Sequence, residues 1–182
     1  QIFPCDTLTT GPAATCLLAR AGIVPEAELM IASCDYEHRY DHDAWRKIVN
    51  DSTIDGAIWT YRLGANMVKS AEAFAYCRTE AGSTRVTEVV EKMTISDTPE
   101  NDPLVVGTFW FRRGVDFIRG AENMISSGEA INGEHYVGTS INQLIAEGAR
   151  FAIFDINQWI SFGDPFELKL LEFWEKVFKT GK

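Results

Sequence analysis

Asp35 is the first residue whose type and position could support chemistry. It follows the apolar run Leu29–Ala32 and the small pair Ser33 and Cys34. An apolar run without alternation predicts a strand buried on both faces. Ligands of open α/β sheets bind outside the carboxyl ends of the strands, where one carboxylate can hold Mg²⁺ together with substrate phosphates. A helix cap or a solvated loop acid is the alternative explanation, because acidic residues commonly follow strands.

Three other segments carry residue types suited to a phosphorylated ligand. Gly11 precedes a predicted helix N-terminus, where a missing side chain lets the backbone approach a flat ligand closely. Glu91 and Lys92 end an apolar strand, so the lysine could reach a phosphate and the glutamate could accept hydrogen bonds from sugar hydroxyls. Asn132 and Glu134 flank a turn glycine and could also contact hydroxyls. Each segment also has an ordinary explanation, as a helix start, a solvated charge pair or a plain turn.

The elements that must position these residues follow from periodicity and turn signals. Strands are predicted at 29–32, 56–61, 72–78, 85–91, 104–111 and 151–156, with a hairpin turn at 79–84. Helices are predicted at 13–19, 43–49, 115–126, 136–147 and 165–178, and irregular segments at 62–70 and 94–101. Alternating strands and helices with one hairpin indicate an α/β domain with a mixed sheet and flanking helices.

Composition sets the class of protein. The 182 residues suit one domain over 1–182, and the net charge of −9 argues against a nucleic-acid surface. The four cysteines form no C-x-x-C pair, so buried reduced thiols are expected. No apolar run has membrane-spanning length and no signal pattern is present, which predicts a cytoplasmic protein without a membrane partner.

Seven short motifs, taken in order, resemble one family. They are Thr10-Gly11-Pro12-Ala13-Ala14-Thr15, Ser33-Cys34-Asp35, Asp55-Gly56-Ala57-Ile58, Val86-Thr87-Glu88-Val89-Val90-Glu91-Lys92, Val106-Gly107-Thr108-Phe109-Trp110-Phe111, Asn132-Gly133-Glu134-His135-Tyr136-Val137 and Gly163-Asp164-Pro165-Phe166-Glu167-Leu168. Their order and spacing resemble the sugar-phosphate nucleotidyltransferases, and the resemblance covers nearly the whole chain.

The resemblance implies a Rossmann-like, nucleotide-diphospho-sugar transferase fold and Mg²⁺-dependent chemistry. A nucleoside triphosphate would react with a sugar 1-phosphate to give a nucleotide sugar and pyrophosphate. Asp35 would be the metal ligand and Lys92 would hold the sugar phosphate, both as catalytic residues. Catalysis of this kind depends on positioning and charge neutralisation, with little covalent work by side chains.

The same resemblance assigns the substrate-binding residues. Gly11 would lie against the base and Glu91 would touch the sugar. Gly107 and Glu134 would line the sugar pocket, with Asn132 beside them. A homo-oligomer, or a partner that supplies the missing part of the family pattern, is also expected.

Two departures from the family pattern qualify these expectations. No glycine-rich loop with Arg and Lys precedes Thr10, so the chain corresponds to roughly the C-terminal two-thirds of an N-terminally truncated pattern. It is therefore expected to be inactive alone, with an unpaired sheet edge that favours association. In addition, Ser161 stands two residues after Trp159, where many members have a second metal-binding Asp.

Two other functions remain open. One is a glycosyltransferase of the same fold class, because Asp35-Tyr36-Glu37 resembles an acid-x-acid metal element. The other is a non-catalytic module that binds a sugar nucleotide and regulates another protein. The missing loop supports the module, whereas the Glu91-Lys92 and Asn132-Gly133-Glu134 motifs support the nucleotidyltransferase.

Overall fold

The computed structural model describes residues 1–64 and 70–180, so the irregular segment predicted at 62–70 lies partly outside the described residues. The helices are α1 (Pro12–Leu17), α2 (His42–Asn50), α3 (Gly114–Ser127), α4 (Val137–Ala146) and α5 (Pro165–Thr180). The strands are β1 (Leu29–Ala32), β2 (Tyr36–Arg39), β3 (Gly56–Tyr61), β4 (Ala75–Thr79), β5 (Val86–Glu91), β6 (Leu104–Phe111), β7 (Phe151–Asp155) and β8 (Gln158–Ser161).

Six of these strands form one mixed sheet in the order β5-β4-β6-β3-β7, with β1 also paired to β6. The β3–β7 pair is parallel, and the other pairs in this sheet are antiparallel. β6 is the longest strand and is buried along nearly all its length, as its continuous apolar sequence predicts. The predicted mixed sheet is therefore confirmed.

Helices cover the sheet on both faces. On one face α3 and α4 pack through a core that includes Phe117, Met124 and Ile141. The helix predicted at 115–126 is confirmed as α3, and its apolar face is buried in this core. On the other face, Trp45 of α2 joins a second core around Trp59. This layered arrangement leaves the strand ends free to build a site.

β1 differs from its prediction as a strand buried on both faces. Leu29 and Ile31 pack against the main core, whereas Met30 is 46% exposed and Ala32 is also exposed. Burial along the strand alternates between half-buried Leu29 and Ile31 and exposed Met30 and Ala32. The uniformly apolar sequence of the strand did not reveal its exposed face, since burial depends on what covers the strand.

A second, two-stranded sheet was not predicted. β2 and β8 pair antiparallel, with His38 opposite Trp159. Two smaller differences concern boundaries, because α1 ends at Leu17 and residues 71–73 form a 3₁₀ turn before β4. The β2–β8 pairing joins residues about 120 positions apart, and sequence periodicity carries no signal for such a partner.

The expectation of buried thiols is wrong for most of the cysteines. All four are free, but Cys5 and Cys34 are exposed and Cys16 is half-buried, so Cys77 alone is fully buried. Across residues 1–64 and 70–180, every helix is too short or too polar to cross a membrane.

Candidate functional site

A cavity of about 300 Å³ opens at the ends of β1 and β5. Three of the predicted site residues line it, namely Glu91, Lys92 and Gly107. Tyr136 and Trp159 complete its wall, from the start of α4 and from β8. The fold therefore brings together residues from strands that lie far apart in sequence.

Glu91 is the last residue of β5 and its side chain is mostly withdrawn from solvent. Burial raises the pKa of its carboxyl group to about 7, and the neighbouring Lys92 ammonium opposes that rise. Near neutral pH the group is therefore divided between its charged and protonated forms. It can accept a hydrogen bond from a ligand hydroxyl in one form and donate one in the other.

Lys92 adopts an unusual backbone conformation, with φ of 57° in the left-handed region. Its backbone N–H donates to the carbonyl of Phe74 at 2.9 Å, and its Nζ donates to the carbonyl of Ala73. Nζ also lies 5.6 Å from the centre of the Tyr136 ring, at cation–π distance. These contacts hold a positive charge at the cavity wall at the cost of backbone strain, which is typical of functional positions.

Gly107 interrupts β6 with a φ of 75°, where the pairing register with β3 also shifts. A Cβ at this position would lie 2.8 Å from Oγ of Ser33, whose backbone N–H donates to the Gly107 carbonyl at 3.1 Å. The glycine therefore lets Ser33, at the end of β1, lie close beside β6 and keeps this wall of the cavity open.

Gly11 lies at the rim, next to Pro12, which lines the cavity. Its φ is 120°, and a Cβ would stand 2.5 Å from the backbone nitrogen of His135. That N–H donates to the carbonyl of Thr10 at 2.7 Å, and Ala13 donates back to the His135 carbonyl at 2.9 Å. The structure thus gives Gly11 a clear packing role, and its contact with a base remains a prediction.

Asn132 and Glu134 belong to a tight hairpin. Asn132 and Gly133 both have positive φ, 53° and 81°, and Ile131 and Glu134 exchange two backbone hydrogen bonds of 3.0 Å. Two central residues with positive φ are the signature of a type I′ turn, for which Asn-Gly is the preferred pair. This turn accounts for Asn132, whose side chain is exposed and away from the cavity lining.

Glu134 reaches the cavity through Tyr136. Its carboxylate accepts a hydrogen bond from the Tyr136 hydroxyl, and the Tyr136 ring lines the cavity. Burial, and then the hydrogen bond to Glu134, raise the pKa of Tyr136 to about 12. The neutral phenol is therefore fixed in place, and Tyr136 is a site residue that sequence analysis did not single out.

Asp35 lies in the turn between β1 and β2, just outside the cavity lining. Its neighbours Ser33 and Tyr36 line the cavity. Its carboxylate rests on Gly163, where a Cβ would come within 2.6 Å of Oδ2. Burial raises the pKa of the Tyr36 phenol, and the charges of Asp35 and Glu167 add to that rise, so both acids act on the same edge of the site.

The donor set at this edge fits one kind of metal site. Within the two described stretches, no three His, Cys, Asp or Glu side chains are arranged to hold a metal ion. A cage made by the protein alone is therefore absent there. Mg²⁺ bound mainly through ligand phosphates needs only one or two carboxylates. Asp35 and Glu167 are the two carboxylates whose charges act on Tyr36 at this edge.

Trp159 also contributes to the cavity wall and was missed as a site residue. Its indole Nε1 is buried and finds no hydrogen-bond acceptor among the described residues. Sequence analysis used Trp159 only to locate Ser161, because the β2–β8 pairing was not foreseen.

The solved structures similar to this chain include the following three. A nucleoside-diphosphate-sugar pyrophosphorylase from Vibrio cholerae RC9 has a TM-score of 0.67 and 22% identity, covering 90% of this chain and 65% of that one. A Bacillus anthracis protein assigned as a glucose-1-phosphate thymidylyltransferase, in complex with sucrose, has a TM-score of 0.65 and 14% identity, covering 90% and 60%. The inositol-1-phosphate CTP transferase from T. maritima has a TM-score of 0.60 and 12% identity, covering 94% and 64%.

These similarities establish the fold. The chain has a Rossmann-like α/β fold of the sugar-phosphate nucleotidyltransferase type, as the ordered motifs predicted. It spans between 60% and 65% of the length of these three structures, which agrees with the expected partial pattern. No family model and no curated protein matches the sequence.

Proposed function

We propose that the cavity binds the sugar-phosphate part of a nucleotide sugar, and that the chain forms part of a sugar-phosphate nucleotidyltransferase. The observation that supports this most is the meeting of Glu91, Lys92 and Gly107 in one cavity of about 300 Å³. Such a volume suits a ligand the size of a monosaccharide phosphate. The fold is the expected one for this activity, and the ligand and the reaction remain proposals.

In this proposal each residue has a positioning or charge-neutralising role. The Lys92 ammonium, held by the Ala73 carbonyl and beside the Tyr136 ring, would bind a phosphate oxygen. Glu91 would bind a sugar hydroxyl in either of its protonation states. Gly107 would leave room for the sugar ring.

The proposed reaction is an in-line attack of a sugar 1-phosphate oxygen on the α-phosphorus of a nucleoside triphosphate. The O–P bond of the nucleotide sugar forms as the bond to the leaving pyrophosphate breaks. Asp35 would hold Mg²⁺, which would neutralise phosphate charge when bound. Lys92 would keep the attacking phosphate in line.

The glycosyltransferase alternative depends on Glu37 as a second metal ligand. Glu37 lies on the exposed face of β2 and its carboxylate pairs with Arg39 at 3.4 Å. Tyr36, on the opposite face of the same strand, is the residue that lines the cavity. This geometry favours the nucleotidyltransferase over a site built on an acid-x-acid pair.

Calorimetric titration with a panel of sugar 1-phosphates and nucleotide sugars tests the proposal. Lys92→Ala should weaken binding about 10- to 100-fold, because a hydrogen bond to a charged group contributes roughly 1.5–3 kcal/mol. Lys47→Ala, which removes an exposed lysine from α2, is the matched control and should leave affinity unchanged. Equal affinities for the two variants would refute the assignment of Lys92.

A pyrophosphate-release assay with nucleoside triphosphates and the same sugar 1-phosphates tests for the transfer itself. Turnover supports the nucleotidyltransferase. Binding without turnover by this chain alone agrees with both the partial nucleotidyltransferase and the non-catalytic module. Transfer of a sugar from a nucleotide sugar to an acceptor, without pyrophosphate, supports the glycosyltransferase.

A further inference from the structure

One part of the cavity at the ends of β1 and β5 is apolar. Four of the side chains that line this part pack with the main core on the α3 and α4 face of the sheet. The set, called the apolar floor below, consists of Ile31, Val105, Phe109 and Val137. None of these side chain types can donate or accept a hydrogen bond. A ligand hydroxyl that reaches the apolar floor therefore loses its hydrogen bonds to water without replacement.

The fold fixes the apolar floor in place. Val105 and Phe109 belong to β6, and Ile31 lies opposite Phe109 in the antiparallel pair of β1 and β6. Val137 is the first residue of α4, which packs against β5. Because strand pairing and helix packing hold these side chains, the floor stays apolar when a ligand binds.

The polar part of the cavity offers three side chains for sugar hydroxyls. They are Ser33, Tyr36 and Glu91. Within residues 1–64 and 70–180, no partner forms a hydrogen bond with any of these three side chains. The hydroxyl of Tyr136, in contrast, already donates to Glu134. The three side chains can therefore all pair with a ligand.

Gly107 is the point at which the polar part and the apolar floor meet. It stands in β6 between Val105 and Phe109 of the floor. A Cβ at this position would lie 2.8 Å from Oγ of Ser33 and 3.6 Å from Cε2 of Tyr36. The bare backbone thus lets one sugar ring reach the hydroxyl-binding side chains and the floor at the same time.

The number of available side chains matches the ring hydroxyls of a hexose. In the function proposed above, Lys92 holds the phosphate on C1. A hexose 1-phosphate then has ring hydroxyls on C2, C3 and C4, and one more hydroxyl on the exocyclic C6. With the ring hydroxyls paired to the three side chains, the hydroxyl on C6 has no partner left. A methyl group at C6 needs no partner and gains from contact with the apolar floor.

We propose that the ligand of this cavity is a 6-deoxyhexose 1-phosphate. The assignment rests on the proposed function, because Lys92 must hold the sugar phosphate, and it adds the class of sugar. The ring hydroxyls face the polar part of the cavity, and the methyl group at C6 lies on the apolar floor. The parent hexose binds in the same pose with its C6 hydroxyl unpaired.

Matched pairs of ligands test the class of sugar. Calorimetry compares 6-deoxy-α-D-glucose 1-phosphate with α-D-glucose 1-phosphate, and likewise the galactose and mannose pairs, so that the two members of each pair differ only in the C6 hydroxyl. In the configuration that binds best, the 6-deoxy member should bind about 10- to 100-fold more tightly, the range over which an apolar pocket rejects an added hydroxyl. Equal affinities, or tighter binding of the parent hexose, would overturn the class of sugar and leave the proposed function standing. Absence of binding by every pair would refute the proposed function, and this inference with it.

Variants of the apolar floor test its contact with C6. Val105→Thr and Val137→Thr keep the shape of the side chain and add a hydroxyl that can pair with the C6 hydroxyl of the parent hexose. At least one of them should reduce the preference for the 6-deoxy member about 3-fold or more, because one hydrogen bond is gained. Val86→Thr is the matched control, since Val86 is buried in the same main core but lies outside the cavity lining. An unchanged preference in both floor variants, or an equal reduction in Val86→Thr, would overturn the contact.

Tyr36→Phe tests the polar part independently of the floor. Loss of one hydrogen bond to a ring hydroxyl should weaken both members of a pair by the same factor, about 2- to 10-fold. The preference for the 6-deoxy member should therefore stay as in the unmodified protein. Tyr40→Phe, at a half-buried position outside the cavity lining, should leave both affinities unchanged. Unchanged affinities in Tyr36→Phe, or weakening confined to the parent hexose, would overturn the pairing of Tyr36 with a ring hydroxyl.

Discussion

The Oε1 atom of Glu91 lies only 2.5 Å from the point where a Cβ on Gly138 would stand. The carboxyl group therefore rests on the bare backbone of the first turn of α4. Cγ1 of Val89 is 2.7 Å from the same point, so the space is closed from two sides. The absence of a side chain at position 138 allows the acid to remain at the cavity wall.

Gly138→Ala should displace Glu91 and weaken binding of sugar phosphates at least ~10-fold. Overpacking of this kind costs about 1–3 kcal/mol of stability, partly offset by the better helix propensity of alanine. Gly120→Ala is the control, since its Cβ would meet the Ser140 carbonyl at 2.7 Å, away from the cavity. We expect both variants to melt earlier and only Gly138→Ala to lose affinity by calorimetry. Unchanged affinity in Gly138→Ala would show that Glu91 does not depend on this contact.

The raised pKa of Glu91 predicts how stability changes with pH. Burial moves the pKa from 4.5 to about 7, so the folded protein keeps this proton to a higher pH than the unfolded chain does. The stabilising contribution is complete below pH 4.5 and is lost as the pH rises through 7. The loss is at most about 3–4 kcal/mol, at roughly 1.4 kcal/mol per pKa unit.

Urea denaturation of Glu91→Gln at pH 5 and pH 8 measures this effect. The free energy of unfolding of the unmodified protein should fall between these pH values by more than that of Glu91→Gln. Glu88→Gln, an exposed position on the same strand paired with Arg78, should behave like the unmodified protein. Parallel pH dependence in the Glu91 variant and the unmodified protein would rule out titration of Glu91 in this range.

The backbone conformation of Lys92 predicts that glycine at this position gives a more stable protein than alanine does, which is the reverse of their order inside a helix. The left-handed φ of 57° costs an ordinary residue about 1–2 kcal/mol, and glycine does not bear that cost. Lys92→Gly should therefore be more stable than Lys92→Ala by about 1 kcal/mol. At Lys47, inside α2, the order should reverse by a similar amount. Chemical denaturation of the four variants gives both differences, and the same order at both sites would contradict strain at Lys92.

Much of the scaffold was predictable because it depends on local pattern. The apolar face of α3 indicates which side of the helix is buried, and Phe117, Ile118 and Met124 on that face are buried. The pair Asn132-Gly133 indicates a tight turn, since few residues tolerate positive φ twice in succession. The strand containing Gly107 is mostly apolar and is found as a buried strand.

The remaining features depend on partners distant in sequence. Trp159 enters the cavity wall because β8 pairs with β2, and neither strand has a strong local signal. The elevated pKa of Glu91 results from burial under α4, which the strand sequence does not reveal. The exposure of apolar residues on α5, such as Phe173 and Trp174, was likewise unpredictable, because an apolar pattern specifies a face but not what covers it.

Asp35 should bind a divalent cation only when a phosphorylated ligand is present. One carboxylate, placed against Gly163 at the edge of the cavity, is too few ligands for Mg²⁺ alone but is sufficient together with phosphate oxygens. Titration of Mg²⁺ into the protein alone should therefore give no binding heat. The same titration with a saturating nucleotide sugar should show binding, after subtraction of the heat from Mg²⁺ and nucleotide sugar without protein.

Asp35→Asn should lower the Mg²⁺ affinity of that ternary complex at least ~10-fold, because the neutral amide is a much weaker ligand for a hard cation. Asp43→Asn is the control, since Asp43 is exposed on α2 and pairs with Arg46 at 3.1 Å. It should leave the Mg²⁺ affinity unchanged. Binding of the nucleotide sugar by Asp35→Asn in the absence of metal should equal that of the unmodified protein, which shows that the cavity is intact. Equal Mg²⁺ affinities for Asp35→Asn and Asp43→Asn in the presence of the nucleotide sugar would exclude Asp35 as the metal ligand.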